Sequence, residues 1–339
     1  MAGIKITMQD LAKYCQVSTA TISRVLNNNG RFSEDTRKRV EAAMQELGYV
    51  PNDAAKNLRK QSTKIVGIFI NTLLHETVTD VLNELQSILF EHGFIPIVCN
   101  IGKEGTREAA YFRVMQSMNV CCIFMIFLRT AYYTLEKKPN IPIVFIYKNP
   151  DFSEDLSDYY ILETNDFQAG ELAGRELIRS GAKNLAIVRY TTVGKSIPLG
   201  RELGFLNVLY HKNFMLDKTL SIIVEERDDF QVYAAINEHI KNGSVADGYF
   251  CVTDALALSL IQVLENNHYR VPEDVRVVGC NNLRCSHYGP HPITTIAHQV
   301  NAICAAGVEL LENILSGIEI STEMRQQTFD VSLIRRETT

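Results

Sequence analysis

The sequence predicts a small all-α unit at the amino end, followed by an α/β body of two lobes, each a parallel, doubly wound sheet. Three observations carry this. Residues 8–27 place apolar side chains at helical spacing on either side of a tight turn. From Lys64 onward, short and nearly continuous apolar runs alternate with helical patterns, and near Tyr159 that alternation starts afresh. Strands buried on both faces read as unbroken apolar runs, and strands alternating with helices imply a parallel sheet covered on both sides.

The elements follow in chain order. Thr7 with Asp10 three residues later forms a capping box, and Ser18 is placed to cap a second helix. Leu11, Ala12, Ile22, Val25 and Leu26 recur at helical spacing and close on Val17 as a small core. Thr19, Ala20, Ser23 and Arg24 then remain on an outer face, a small polar set with one long cation near a helix N-terminus. That is the make-up of a recognition helix that enters a DNA major groove in a helix-turn-helix. An ordinary helical hairpin is the plainer alternative, and the coincidence of cap, turn and outward polar face weighs against it. After the turn-rich run 27–31, Ser33 caps a third helix with the inward stripe Val40, Ala43, Met44 and Leu47, which Gly48 ends. Residues 52–60 are capped by Asn52 but span barely two turns, too few for an isolated helix to hold in water.

In the body, strands are expected at 65–70, 94–98, 121–127 and 141–146, with helices at about 77–90 and up to Met118. The second series has strands at about 185–189, 220–224, 248–252 and 275–279. The tail 328–334 alternates like one final strand.

Charge divides along the same line. Residues 1–64 hold 11 lysines and arginines against 6 acids, a net of +5, and the remainder holds 23 against 33, a net of −10. A basic head on an acidic body suits a nucleic-acid footprint confined to one module. No apolar run reaches the ~18–20 residues that span a bilayer, and no apolar stretch follows the first lysine as a secretory signal would, so a soluble, cytoplasmic protein is expected. The eight cysteines lie mostly inside apolar runs, among them Cys99, Cys121, Cys122, Cys251 and Cys304, and read as reduced, buried small hydrophobes. Cys280, Cys285, His287 and His291 come closest to a metal set but lack paired spacing, so neither metal nor cofactor is expected. Gly194-Lys195-Ser196 mimics the end of a P-loop, yet Arg189 stands where the loop needs glycine.

The run from Asp10 to Asn27, D-L-A-K-Y-C-Q-V-S-T-A-T-I-S-R-V-L-N, resembles the headpiece of the lactose/galactose repressor (LacI/GalR) family, D-[IV]-A-x-x-A-G-V-S-x-x-T-V-S-R-V-L-N. Gln16 replaces the family's turn glycine, a strain on the order of 1 kcal/mol. The resemblance extends along the body through Asn165–Gly170 with Ala173, Gly200–Phe205, Val271–Val275 running to Gly279, Pro292–Ile296 and Arg336–Thr338. It implies three parts: a headpiece at 1–50, a hinge helix or linker at 51–63, and a periplasmic-binding-protein-like (type I) effector and dimerisation domain at 64–339. The lobe boundaries expected within that domain are 64–161 with 294–325, and 162–293 with 326–339.

The resemblance also implies roles for residues. Thr19, Ala20 and Arg24 fall on positions that touch base edges, where Arg24 suits a bidentate guanine contact. Thr7, Ser18, Thr21, Ser23 and Asn27 fall on phosphate contacts, which set register. Leu58 matches the apolar wedge of a minor-groove hinge, with Lys56 and Arg59 beside it. In the cleft, Arg201, Phe230, Asp254, Asn281 and Lys195 are implied as effector contacts. Phe230 is equally placed to be a core aromatic. Asn281 stands where the family usually has aspartate, which removes one acceptor from a grip on sugar hydroxyls. Lys195 and Arg201 suit a phosphorylated or acidic effector.

The implied protein is a homodimeric transcription regulator, a repressor in most relatives. It reads a pseudo-palindromic operator and is controlled by a sugar or sugar-derived effector between the lobes. Whether that effector releases or strengthens DNA binding stays open. The rivals are a solute-binding receptor without DNA function, which the basic headpiece argues against, and an enzyme, for which no motif places a catalytic set.

Overall fold

A computed structural model describes residues 6–26, 29–49, 63–102, 107–127, 141–147, 159–191, 200–225, 229–288 and 291–339. The chain divides into two compact units, Met1–Thr63 and Lys64–Thr339.

The first unit holds α1 (Met8–Tyr14), α2 (Thr19–Leu26) and α3 (Glu34–Leu47). The capping box forms: Asp10 N donates to Thr7 Oγ1 (3.3 Å), while Thr7 N donates back to Asp10 Oδ2 (2.9 Å). At the next two starts, Thr21 N donates to Ser18 Oγ and Thr36 N to Ser33 Oγ, each at 3.1 Å. Gln16 takes φ 50° in the turn, and Gly48 ends α3 at φ 63°. Leu11, Ala12, Ile22, Val25, Val40 and Ala43 are buried together, with Val17, Leu26, Met44 and Leu47 packed against them. Residues 27–28 and 50–62 lie outside the described residues, and with them the readings of Asn27, Lys56, Leu58 and Arg59.

The second unit holds two sheets, each of six strands among the described residues. The first contains β1 (Ile65–Ile70), β2 (Ile95–Asn100), β3 (Cys122–Ile126), β4 (Ile143–Ile146), β5 (Tyr160–Thr164) and β11 (Gln326–Phe329), in the order β2-β1-β3-β4-β5-β11, all parallel. The second contains β6 (Leu185–Tyr190), β7 (Ile222–Val224), β8 (Gly248–Cys251), β9 (Arg276–Cys280), β10 (Thr294–Ala297) and β12 (Ser332–Ile334), in the order β7-β6-β8-β9-β10-β12. Only β12 runs antiparallel there. The helices between strands are α4 (Glu76–Glu91), α5 (Glu108–Ser117), α6 (Asp166–Arg179), α7 (Gly200–His211), α8 (Asp229–Asn242), α9 (Asp254–Asn266), α10 (Cys285–Tyr288), α11 (Val300–Leu315) and α12 (Thr322–Arg325). The central strands are almost wholly buried, as in Cys122–Ile126 and Ile143–Ile146, because helices cover both sides, while the edge strand Ile95–Asn100 is only partly so. The five cysteines expected to be buried in apolar runs are all buried and free. No helix among the described residues is long and apolar enough to cross a membrane.

The chain crosses between lobes at 165, 298–299 and 330–331, which corrects the expected boundaries. Strand 160–164 belongs wholly to the first sheet; 294–297 joins the second and 326–329 the first. The tail is likewise two strands, one in each sheet, broken at Asp330-Val331. Sequence alternation could not separate them because both halves are half-exposed edge strands with the same period. The crossings are stitched together: Asn165 N donates to Phe329 O (2.8 Å), Gln299 Nε2 to Asp330 O (2.9 Å) and Val331 N to Gln168 Oε1 (2.7 Å).

Candidate functional site

In the first unit, Thr19, Ala20 and Arg24 are exposed on α2, while Ile22 and Val25 on its opposite face are buried. The helix therefore presents one polar face with no role in its own core. Ser18 and Thr21 are tied to each other at 2.9 Å, and Thr7 to Asp10, so their hydroxyls are held in place at helix starts. Ser23 is half-buried. The stem of Arg24 lies against Gly30, where an added Cβ would come within 3.4 Å of Arg24 Cδ. Gly30 has φ 93°, so the loop after α2 turns tightly beside the arginine.

In the second unit, residues just beyond strands of the two sheets meet: Tyr147 after β4 faces His298 after β10, and Asn281 after β9 reaches Thr77, which follows β1. Each sheet has the 2-1-3-4-5 order whose topological switch point forms a ligand crevice, here between β1 and β3 and between β6 and β8. Arg201, on the first turn of α7, reaches into this region. Its Nε lies 2.9 Å from Asp166 Oδ1, its Nη1 donates to Val252 O (2.5 Å), and its Nη2 lies 3.3 Å from His298 Nε2. Burial opposes the guanidinium's charge, but neighbouring Asp166 outweighs it and raises the pKa further. His298 also lies 3.8 Å from Cys280 Sγ and meets the Tyr147 ring edge-on at 5.7 Å. Burial, helped by the charge of Arg201, pushes the His298 pKa down to about 3, leaving a neutral ring. Burial likewise pushes the Cys280 thiol up to about 12.

Backbone strain gathers at the same strand ends. Phe127 and Tyr147 end β3 and β4 at φ 54° and 57°, their rings stacked at 4.9 Å, and Asn281 and Asn282 after β9 take φ 100° and 54°. Side-chain-bearing residues held in the left-handed region cluster where a ligand is clamped. Across the cleft, Asn281 Nδ2 donates to Thr77 Oγ1 (3.3 Å) and Arg284 N to Glu76 Oε1 (2.6 Å), joining the loop after β9 to the start of α4.

The residues expected in the cleft divide. Arg201 and Asn281 are brought to it. Asp254 is not: it is fully buried, accepting from Leu283 N (2.7 Å) and Thr295 Oγ1 (2.6 Å). Desolvation raises its pKa to about 7. It braces the loop that carries Asn281 and offers no atom to a ligand. Phe230 is 80% exposed, which corrects the core-aromatic alternative. Lys195 lies outside the described residues. Reasoning on sequence missed Asp166, Tyr147 and His298. Their only local signal is position: each stands at the carboxyl end of a strand or just beyond it.

Residues 7–52 match the family described as bacterial regulatory proteins, lacI family, and residues 175–339 match the periplasmic binding protein-like domain. The HTH-type transcriptional repressor PurR of Actinobacillus pleuropneumoniae serotype 3 is 27% identical over 329 residues, covering 96% of this chain and 95% of that protein. PurR of Yersinia enterocolitica serotype O:8 is 28% identical over 302 residues, covering 86% and 85%. The lac repressor dimer bound to operator and the anti-inducer ONPF has a TM-score of 0.80 at 21% identity, covering 99% of each chain. The transcriptional regulator CelR in complex with cellobiose has a TM-score of 0.71 at 22% identity, covering 98% of this chain and 100% of that one. At such identities the structural likeness establishes the fold.

Proposed function

Because this chain belongs to the lacI family of bacterial regulatory proteins, we propose that it is a sequence-specific transcriptional repressor whose hold on operator DNA is set by a small molecule bound between its lobes. The observation that carries this is the exposed polar face of α2, with Thr19, Ala20 and Arg24 outermost and an apolar core behind them. Arg24 reads a base edge and Thr19 supports it; Thr7, Ser18, Thr21, Ser23 and Asn27 hold phosphates and set register. Two copies read the halves of a pseudo-palindrome, with Leu58 as wedge and Lys56 and Arg59 as cations at its centre.

The effector is carbohydrate-derived, in keeping with CelR, which holds cellobiose. It acts by favouring one arrangement of the lobes, and its effect on DNA affinity equals its differential affinity for the two arrangements. The protein works in the cytoplasm and catalyses no reaction.

Selection of bound duplexes from a random library by the full-length chain tests the reading. The expected product is a pseudo-palindrome bound with a steep salt dependence. Failure to enrich any sequence at low salt would sink it.

A further inference from the structure

The strand ends around Arg201 hold polar atoms that the protein leaves unused. The Tyr147 hydroxyl, Asn281 Oδ1, His298 Nδ1 and, after β1, Asn71 Oδ1 are shut from solvent and have no hydrogen-bond partner among the described residues. Native proteins pair nearly all such atoms, so a cluster of exceptions marks a place that something else completes.

Their chemistry is readable. A guanidinium only donates, so His298 Nε2, 3.3 Å from Arg201 Nη2, accepts. The proton of the neutral ring then sits on Nδ1, a donor lacking an acceptor. Asn281 gives its amide to Thr77 at 3.3 Å, which leaves Oδ1 as an acceptor lacking a donor. The Tyr147 hydroxyl serves either way, and its ring is fixed between Phe127 and His298.

We propose that His298 is a direct ligand contact: its Nδ1–H donates to an oxygen of an uncharged, hydroxyl-bearing effector, while Asn281 Oδ1 accepts a hydrogen bond from a hydroxyl of the same molecule. The inference rests on the cleft being a small-molecule site. Charge argues the same way. Arg201 already faces Asp166 at 2.9 Å, so its charge is matched within the protein. An ionised phosphate or carboxylate would bring a second negative group toward Asp166. Arg201 is thus not free for the phosphorylated or acidic effector suggested on sequence grounds, and Lys195, the other cation of that reading, lies outside the described residues.

Two measurements on the full-length protein without DNA test this. In histidine-labelled protein, long-range proton–nitrogen spectra at pH 7, with the His298 signal assigned by its loss in His298→Gln, should show a neutral ring protonated on Nδ1. The other tautomer, or a charged ring, would overturn the proposal. Calorimetric titration with D-ribose, D-glucose and cellobiose, and with ribose 5-phosphate and glucose 6-phosphate, should show binding confined to the uncharged probes. His298→Phe should weaken that binding at least about tenfold, and His298→Gln, whose amide can donate, less so. Preference for the phosphates, or indifference to His298→Phe, would overturn the inference and leave the small-molecule reading standing. No binding by any of the five probes would count against that reading itself.

Discussion

The carboxylate of Asp166 meets the guanidinium of Arg201 at 2.9 Å because two glycines let the helices that carry them touch backbone to backbone. On α6, a Cβ at Gly170 would run into Arg201 O; on α7, a Cβ at Gly204 would run into Phe167 O. Neither obstacle is a side chain that can swing away. The ion pair at the centre of the cleft thus depends on hydrogen atoms at positions 170 and 204.

Gly204→Ala should therefore destabilise the second unit by about 3 kcal/mol, at the upper end of overpacking penalties. Urea unfolding followed by tryptophan-independent means, such as far-ultraviolet dichroism, reads the loss, since the chain has no tryptophan. Unchanged stability would show that the helices can part at little cost.

Arg24→Ala should lower affinity for the selected operator by ~1–3 kcal/mol while changing random-sequence binding far less. Fluorescence anisotropy with both duplexes at one salt concentration separates the two. An equal loss on both would make Arg24 a phosphate contact.

Asp254→Ala removes the acceptor for two donors, Leu283 N and Thr295 Oγ1, that sit in a closed interior. Each orphaned donor costs about 1–3 kcal/mol, so a loss of ~2–5 kcal/mol is expected. The Asn281 loop should loosen with it, visible as faster hydrogen exchange at residues 281–283. Exchange rates equal to those of the unaltered protein would mean that the loop holds its strained backbone without the carboxylate.

His298 makes the second unit sensitive to acid. Its folded pKa of about 3 lies below the ordinary 6.5, so on acidification the unfolded chain takes up a proton that the folded chain refuses. Stability from this group is complete above pH 6.5 and is lost as pH falls toward 3, by about 1–2 kcal/mol at pH 5. Asp254 works oppositely, because its raised pKa favours the folded state as pH falls toward 4. Comparison with His298→Gln cancels the Asp254 contribution: between pH 7 and pH 5 the native chain should lose more urea resistance than the variant. Parallel losses would place a protonated ring in the folded state.

The headpiece was readable almost residue by residue. Its capping box and its turn residue Gln16 arise from interactions within a turn or two, and its core joins three short helices whose inward stripes are each legible from spacing. Eight strands of the body were readable too, to within a residue or three at most ends, since burial leaves an unbroken apolar run. By contrast β5 (Tyr160–Thr164) and β10 (Thr294–Ala297), short and rich in threonine or polar ends, were not expected. Local pattern alone thus gives the fold class, the basic-head, acidic-body division and the outward face of α2.

Where the chain crosses between lobes, that Asp254 is a buried brace, and that Arg201 is answered by Asp166 and His298 emerge from the folded chain. Those partners lie 35 and 97 positions away along the chain. Periodicity and capping report forces that act over a few residues. Which distant strand ends share one cleft is set by how two sheets close on each other, a packing relation that no local pattern encodes.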